Sequence, residues 1–239
     1  MIALSPQTNG YVVSDLHIFG CSSLYEHHLP SFYQAVSQHS TIVLNGDTFD
    51  YKRSKYQTAS ETTTHALRWL TELLERSPHA TFHYVVGNHD CQIELLESIS
   101  NLTHSRGTIH LHQSHVRLGS NLFLHGDVLD LASPNQSITD LRQRYSTMEP
   151  SMLSKVFAQA VTYLRLNAIE YVRHSSQSLA QRILDYLQAT YPDELQGVRA
   201  IYFGHTHVPV NGFKLDGIEF YNTGSLIRGL RWKPLEFEA

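Results

Sequence analysis

Two cysteines, Cys21 and Cys91, are all that the 239 residues contain. They cannot build a disulfide framework, so nothing here demands an oxidising compartment. An excess of basic charge is missing as well. Lys and Arg number 18 against 22 Asp and Glu, a formal net charge of −4. A general nucleic-acid binder carries a polybasic footprint, and no nucleic-acid partner is expected here. No stretch approaches the roughly 18 consecutive apolar residues of a membrane span. Met1 to Gly10 has no basic segment followed by an apolar run, so no signal peptide is expected. Repeats, low-complexity tracts and composition shifts that would mark a linker are also lacking. With 41% hydrophobic and 17% charged residues, the chain has enough apolar content for a folded core. The expectation is a soluble cytoplasmic protein with one domain over residues 1–239, leaving room for peripheral membrane contact.

What the chain has in abundance is histidine, 16 residues in all. Imidazole is the commonest protein metal ligand and the usual proton carrier near neutral pH, so the positions of these residues matter. Five short apolar runs each end in a polar cluster. Tyr11-Val12-Val13 leads into Ser14-Asp15-Leu16-His17, and Thr41-Ile42-Val43-Leu44 into Asn45-Gly46-Asp47. Phe82-His83-Tyr84-Val85-Val86 leads into Gly87-Asn88-His89-Asp90. Leu122-Phe123-Leu124 leads into His125-Gly126-Asp127, and Ala200-Ile201-Tyr202-Phe203 into Gly204-His205-Thr206-His207. Short β-branched or aromatic runs of this kind predict buried strands.

Apolar stripes at helical spacing fall between them, over about 61–76, 151–172 and 177–190. Strands alternating with helices predict an α/β layered sheet. The stretch at about 135–195 reads as a helical insertion or cap. Its stripe Val156, Phe157, Val161 and Leu164 suits either core packing or an apolar lid.

Ligands of open α/β sheets bind beyond the carboxyl ends of strands. The five clusters place Asp15, His17, Asp47, Asn88, His125, His205 and His207 there. Two carboxylates, one amide and four imidazoles suit borderline first-row ions, and no cysteine cluster suggests a structural zinc finger. On extended backbone, Asp15 and His17 would share one side, as would His205 and His207, so that each pair could grip one ion. Seven groups exceed one tetrahedral site and suit two ions that share a bridging carboxylate. A lone Gly-Asp or Gly-Asn is an ordinary turn signal; five clusters, each after an apolar strand, are a specific constellation.

Asp15-x-His17, Gly46-Asp47-x-x-Asp50, Gly87-Asn88-His89-Asp90, His125 and Gly204-His205-x-His207 resemble the five ordered motifs of the calcineurin-like metallophosphoesterases. The resemblance spans about residues 11–210. It implies a four-layer α/β/β/α sandwich and a two-metal site, with manganese as first choice and iron, zinc or magnesium as alternatives. It implies that Asp15, His17 and His207 hold one ion and Asn88, His125 and His205 the other. Asp47 would bridge them. His89 would protonate the leaving group or stabilise charge in the transition state, and Asp90 would orient its ring. Asp50 would support the site by hydrogen bonding.

The activity implied is hydrolysis of a phosphodiester, phosphomonoester or pyrophosphate bond in a small molecule. Gly46-Asp47-Thr48-Phe49-Asp50-Tyr51 lacks the Asp-Arg-Gly continuation of Ser/Thr protein phosphatases. The layout from His125 to His205 resembles the UDP-2,3-diacylglucosamine pyrophosphohydrolase branch, which implies a nucleotide-linked lipid as candidate substrate. That branch commonly has Arg where this chain has His89, and Asn222-Thr223-Gly224-Ser225 resembles the ending of generic phosphodiesterases. A generic or cyclic-nucleotide phosphodiesterase is therefore the alternative. A non-catalytic metal-bound scaffold is the third reading, and the full ligand set counts against it. Arg142, Arg144, Arg228 and Arg231 are candidate phosphate contacts. His110, His112 and His115 are expected as plain strand or surface positions, and both thiols as inert.

Overall fold

The computed structural model describes residues 9–133, 136–156 and 175–238. Two five-stranded sheets form its centre. The first has β1 (Asn9–Val13), β2 (Thr41–Asn45), β3 (Thr81–Val85), β4 (Ile109–His112) and β10 (Leu235–Glu238) in the order β10-β1-β2-β3-β4. Strands β1 to β4 are parallel and β10 is antiparallel to β1. The second has β5 (His115–Leu118), β6 (Asn121–Leu124), β7 (Ala200–Phe203), β8 (Val210–Leu215) and β9 (Ile218–Asn222) in the order β5-β6-β7-β9-β8. Here β6, β7 and β9 are parallel.

Side-chain alternation explains the layering. Val12, Val43 and Val85 of the first sheet meet Val116, Phe123 and Tyr202 of the second in an apolar seam. Their neighbours in sequence point the other way. Tyr11, Val13, Ile42, Leu44, Phe82 and Tyr84 pack under α1 (Tyr25–Gln38), α2 (Ala59–Arg76) and α3 (Ile93–Arg106). On the far side, Leu122, Leu124, Ile201 and Phe203 pack under α5 (Ser176–Thr190), which follows the short α4 (Ile138–Gln143). The result is the expected α/β/β/α sandwich.

Helix ends follow local chemistry. Thr58 caps α2 by accepting from the Glu61 N–H, and Gly107 ends α3 in the left-handed conformation that a side chain disfavours. The stripe Leu179, Ala180, Ile183, Leu184 and Leu187 on α5 is buried against the second sheet, so core packing accounts for it. Residues 152–156 are helical, whereas Phe157, Val161 and Leu164 lie outside the described residues. The hairpin β8-β9 was not foreseen, although Asp216-Gly217 between two strands signals it. Both residues have positive φ, 49° and 79°, as a two-residue type I′ turn requires.

One buried amide ties the two sheets together at the end where the site forms. Asn45, 1% exposed at the end of β2, donates to the carbonyls of Leu124 (3.0 Å) and Tyr202 (3.2 Å) on the opposing sheet. Replacing it by Ala removes both cross-sheet hydrogen bonds from a buried place, which costs about 1–3 kcal/mol. Asn45→Ala is expected to lower the unfolding free energy by that amount, read as a lower urea midpoint at an unchanged denaturant slope in equilibrium unfolding.

Candidate metal centre

Parallel strands deliver all five clusters to one edge of the sandwich. Ser14 to His17 follow β1, Gly46 to Asp50 follow β2 and Gly87 to Asp90 follow β3, while His125 follows β6 and Gly204 to His207 follow β7. The two sheets face each other, so loops from both meet over the seam.

The backbone there is not extended. Asp15 (φ 53°), His17 (47°), Asp47 (49°), His205 (66°) and His207 (58°) all occupy the left-handed region. Non-glycine residues enter it at a cost of roughly 1–2 kcal/mol each, and such residues concentrate at functional sites. This corrects the expectation drawn from strand alternation. Asp15 and His17 still converge, but through left-handed turns. His205 and His207 do not grip one point: His205 Nδ1 lies 3.0 Å from Asn88 Oδ1, whereas His207 Nε2 lies 3.4 Å from Asp15 Oδ1.

Two groupings result. In the first, His17 Nε2 lies 3.1 Å from His207 Nε2 and 3.8 Å from Asp15 Oδ1. In the second, Asn88 Oδ1 lies 3.2 Å from His125 Nε2 and 3.0 Å from His205 Nδ1. Asp47 stands between them, with Oδ2 3.9 Å from His17 Nε2 and Oδ1 3.3 Å from His125 Nε2. Ligand atoms of Asp15, His17 and His207 lie within 4.8 Å of one another, and so do those of Asp15, Asp47 and His125.

Charge argues that cations belong here. Asp15 and Asp47 are fully buried, and two buried carboxylates repel unless something positive compensates them. Burial alone would raise the Asp47 pKa, but the His125 and His89 rings hold it well below the carboxylate range. The reverse holds for His125. Burial pulls it down, yet Asp47 outweighs this and raises it to about 10. For His17 burial wins and pushes it down to about 3, so this ring is neutral, as a ligand must be.

Glycine is required where the loops touch the carboxylates. A methyl group on Gly87 would overlap Asp47 Oδ1, and one on Gly204 would overlap Asp15 Oδ2. The C-terminal segment braces the same loops. Thr223 Oγ1 accepts from the Ser14 amide (3.1 Å), and the Leu226 amide donates to the Asp15 carbonyl (3.1 Å). Asn222 Nδ2 donates to the Gly204 carbonyl (3.0 Å).

His89 sits in this centre with its Nδ1 paired to Asp50 Oδ1 at 2.9 Å. The carboxylate expected to orient it was Asp90, and the structure corrects that. Asp90 turns inward, where it accepts from the amides of Thr48 and Gly87 and from the Tyr84 hydroxyl, each at 2.7 Å. It holds the loop rather than the ring, because three donors saturate it away from solvent. Burial lowers the His89 pKa, but Asp47 and Asp50 outweigh it and raise it.

A cavity of about 390 Å³ opens over Asp47, Asn88, His89, His205 and His207. Arg53, Leu129, Asp130, Leu179, Arg182 and Thr206 complete its wall. Arg53, Asp130 and Arg182 were not foreseen. Asp130 pairs with His205 Nε2 at 3.1 Å. None of the four arginines proposed from sequence lines this cavity. Arg142 is buried in a bidentate ion pair with Asp127, both contacts 2.7 Å. Cys91 is buried, which pushes its thiol up to about 12.

Residues 11–209 match the calcineurin-like phosphoesterases. The chain belongs to that family. It is a metal-dependent phosphoester hydrolase. Among solved structures, a dimetal phosphatase from Danio rerio is similar at 12% identity over 94% of this chain and 89% of that one, with a TM-score of 0.50. The Escherichia coli phosphoesterase Yfce is 15% identical over 91% and 80% of the two chains, with a TM-score of 0.39. No curated protein matches the sequence. No helix among the described residues is long and apolar enough to cross a membrane.

Proton linkage gives a test. Asp47 holds His125 protonated at pH 7; an imidazole ligates only when neutral, so metal uptake through this ring would displace its proton. Calorimetry in buffers of different ionisation enthalpy is expected to show net proton release at pH 7. The apparent affinity is expected to rise about tenfold per pH unit between pH 7 and 9 for that one displaced proton.

Proposed function

We propose that Asp15, His17 and His207 hold one divalent ion, that Asn88, His125 and His205 hold a second, and that Asp47 bridges them. The observation that carries this is the position of Asp47, whose two oxygens face His17 in one grouping and His125 in the other. Two ions held there would lower the pKa of a shared water toward neutrality and neutralise phosphate oxygens, with manganese our first choice.

The remaining residues supply binding and proton chemistry. His89 lines the cavity, and Asp50 occupies its Nδ1. That leaves Nε2 to protonate the departing oxygen, and Asp50 both orients the ring and favours its charged form. Arg53 and Arg182 on the cavity wall offer planar donors to a substrate phosphate.

For the substrate we favour a small-molecule phosphate ester joined to an apolar group, with UDP-2,3-diacylglucosamine as the candidate to test. Met152, Leu153 and Val156 leave 74%, 82% and 56% of their surface exposed. Contiguous exposed apolar side chains mark interaction sites. The segment bearing them is fastened beside Arg53, by Ser151 N–H to the Lys52 carbonyl (3.4 Å) and Lys155 Nζ to the Tyr56 carbonyl (3.0 Å).

The test is hydrolysis by metal-stripped protein refilled with Mn²⁺, Mg²⁺ or Zn²⁺, on UDP-2,3-diacylglucosamine, a plain UDP-sugar, cyclic AMP and an artificial phosphodiester. Preference for the acylated nucleotide is the expected result. Equal rates on the plain UDP-sugar, or activity on cyclic AMP or the artificial diester alone, would overturn the substrate assignment and leave the metal chemistry standing. Asp47→Ala and His205→Ala are expected to lose metal and activity together. His89→Gln is expected to keep its metal, measured by elemental analysis, while turnover falls on the order of 10²–10⁴-fold. The fall is expected to be much smaller with a nitrophenyl ester, whose leaving group needs no proton.

A further inference from the structure

The two ring nitrogens of His205 face different partners. Nδ1 lies 3.0 Å from Asn88 Oδ1, in the grouping assigned to the second ion. Nε2 lies 3.1 Å from Asp130 Oδ2, on the wall of the cavity. A carboxylate only accepts, so this second contact requires a proton on Nε2. In the neutral ring Nδ1 is then the bare nitrogen. It and Asn88 Oδ1 both present lone pairs, as two ligands of one ion must. The bond to Asp130 thus selects both the tautomer and the ring angle that a ligand at this position needs.

Asp130 is well placed to do this. It ends a 3₁₀ turn over Asp127–Asp130, directly after His125 and Gly126. Its carboxylate is about half exposed, but the turn that carries it is pinned. Asp127 is held by the buried Arg142 guanidinium, which also donates to the Gln113 carbonyl. Val128 and Leu129 pack in the apolar layer under α5, and Arg182 of α5 donates to the Leu129 carbonyl. Gly126 has a φ of 107°, and a methyl group on it would lie 3.1 Å from the Gly204 carbonyl oxygen, so the chain passes close over the residue before His205. Only the Asp130 rotamer is left to be fixed.

The other imidazole of that grouping is held in the same way. His125 Nε2 faces Asn88 and Asp47, while its Nδ1 lies 3.3 Å from the Asn45 carbonyl. A half-exposed ion pair adds little stability by itself. Its value here is direction, which metal-bound histidines generally take from a carboxylate or carbonyl on the far nitrogen.

We propose that Asp130 is the positioning residue of the second ion. It holds the Nε2–H of His205 and so presents Nδ1 to the metal, without touching ion or substrate itself. The proposal rests on His205 being a ligand and extends that reading.

The test uses the full-length chain with Asp130→Ala and Asp130→Asn. Asn is close in size, and its amide oxygen still accepts from Nε2. Zn²⁺ affinity is measured by competition with a chelator. Asp130→Ala is expected to bind one ion as wild type does and the other about 10–100-fold more weakly, with Asp130→Asn recovering most of that loss. In nuclear magnetic resonance of the zinc-loaded protein, the His205 Nε2 proton is expected to exchange slowly in wild type and Asp130→Asn and to be lost to exchange in Asp130→Ala. Unchanged affinity for both ions in Asp130→Ala would overturn the proposal. Equal weakening in the two variants would overturn it too, since that is an effect of charge alone. His205→Ala separates the two levels. If it keeps both ions, the ligand assignment itself fails. If it loses one while Asp130→Ala binds both normally, the assignment stands and the role of Asp130 falls.

Discussion

Two carboxylates, Asp15 and Asp47, lie buried at the junction of two sheets, and the rest of the site is arranged around that arrangement. Like charges out of water are tolerated only when cations or strong donors surround them. Every loop from the strand ends brings such a partner. The His205 amide donates to both oxygens of Asp15 (3.1 Å each), and the His89 amide donates to Asp47 Oδ1 (2.8 Å). The glycines at 87 and 204 make room for these oxygens. The left-handed residues bring the rings inward.

The same electrostatics explains the division of labour among the carboxylates. Asp15 and Asp47 face imidazoles and stay ionised. Asp50 faces His89 and keeps its ring oriented. Asp127 is matched to the buried Arg142 guanidinium, and Asp90 is consumed by backbone amides and a tyrosine. A carboxylate's role follows from which donors reach it, and sequence neighbourhood is a poor guide to that. Asp90 adjoins His89 in the chain, yet Asp50, 39 residues away, is its partner.

Much of the fold was legible because it rests on local patterns. Each β-branched run that ends in a polar cluster is a strand with its cluster at the carboxyl end. The helical stripes at 61–76 and 177–190 are buried faces. The strands that escaped notice, β8, β9 and β10, are half-exposed and carry weak alternation; the signal for β8 and β9 was the Asp216-Gly217 turn. Arg53, Asp130 and Arg182 carried no signal at all, since a charged residue on a loop or a helix surface looks alike whether it meets solvent or a cavity. Asn45 was visible only as the first residue of a polar cluster, although it fastens the two sheets.

The sequence by itself determined the layer architecture and the set of groups available for metal, because strand period, turn chemistry and ligand type are properties of short segments. Only the tertiary structure decided which groups meet. Pairing Asp50 with His89 and His205 with Asn88 depends on strand register and on how two sheets face each other. Those are set by burial summed over the whole core, and no short segment contains that sum.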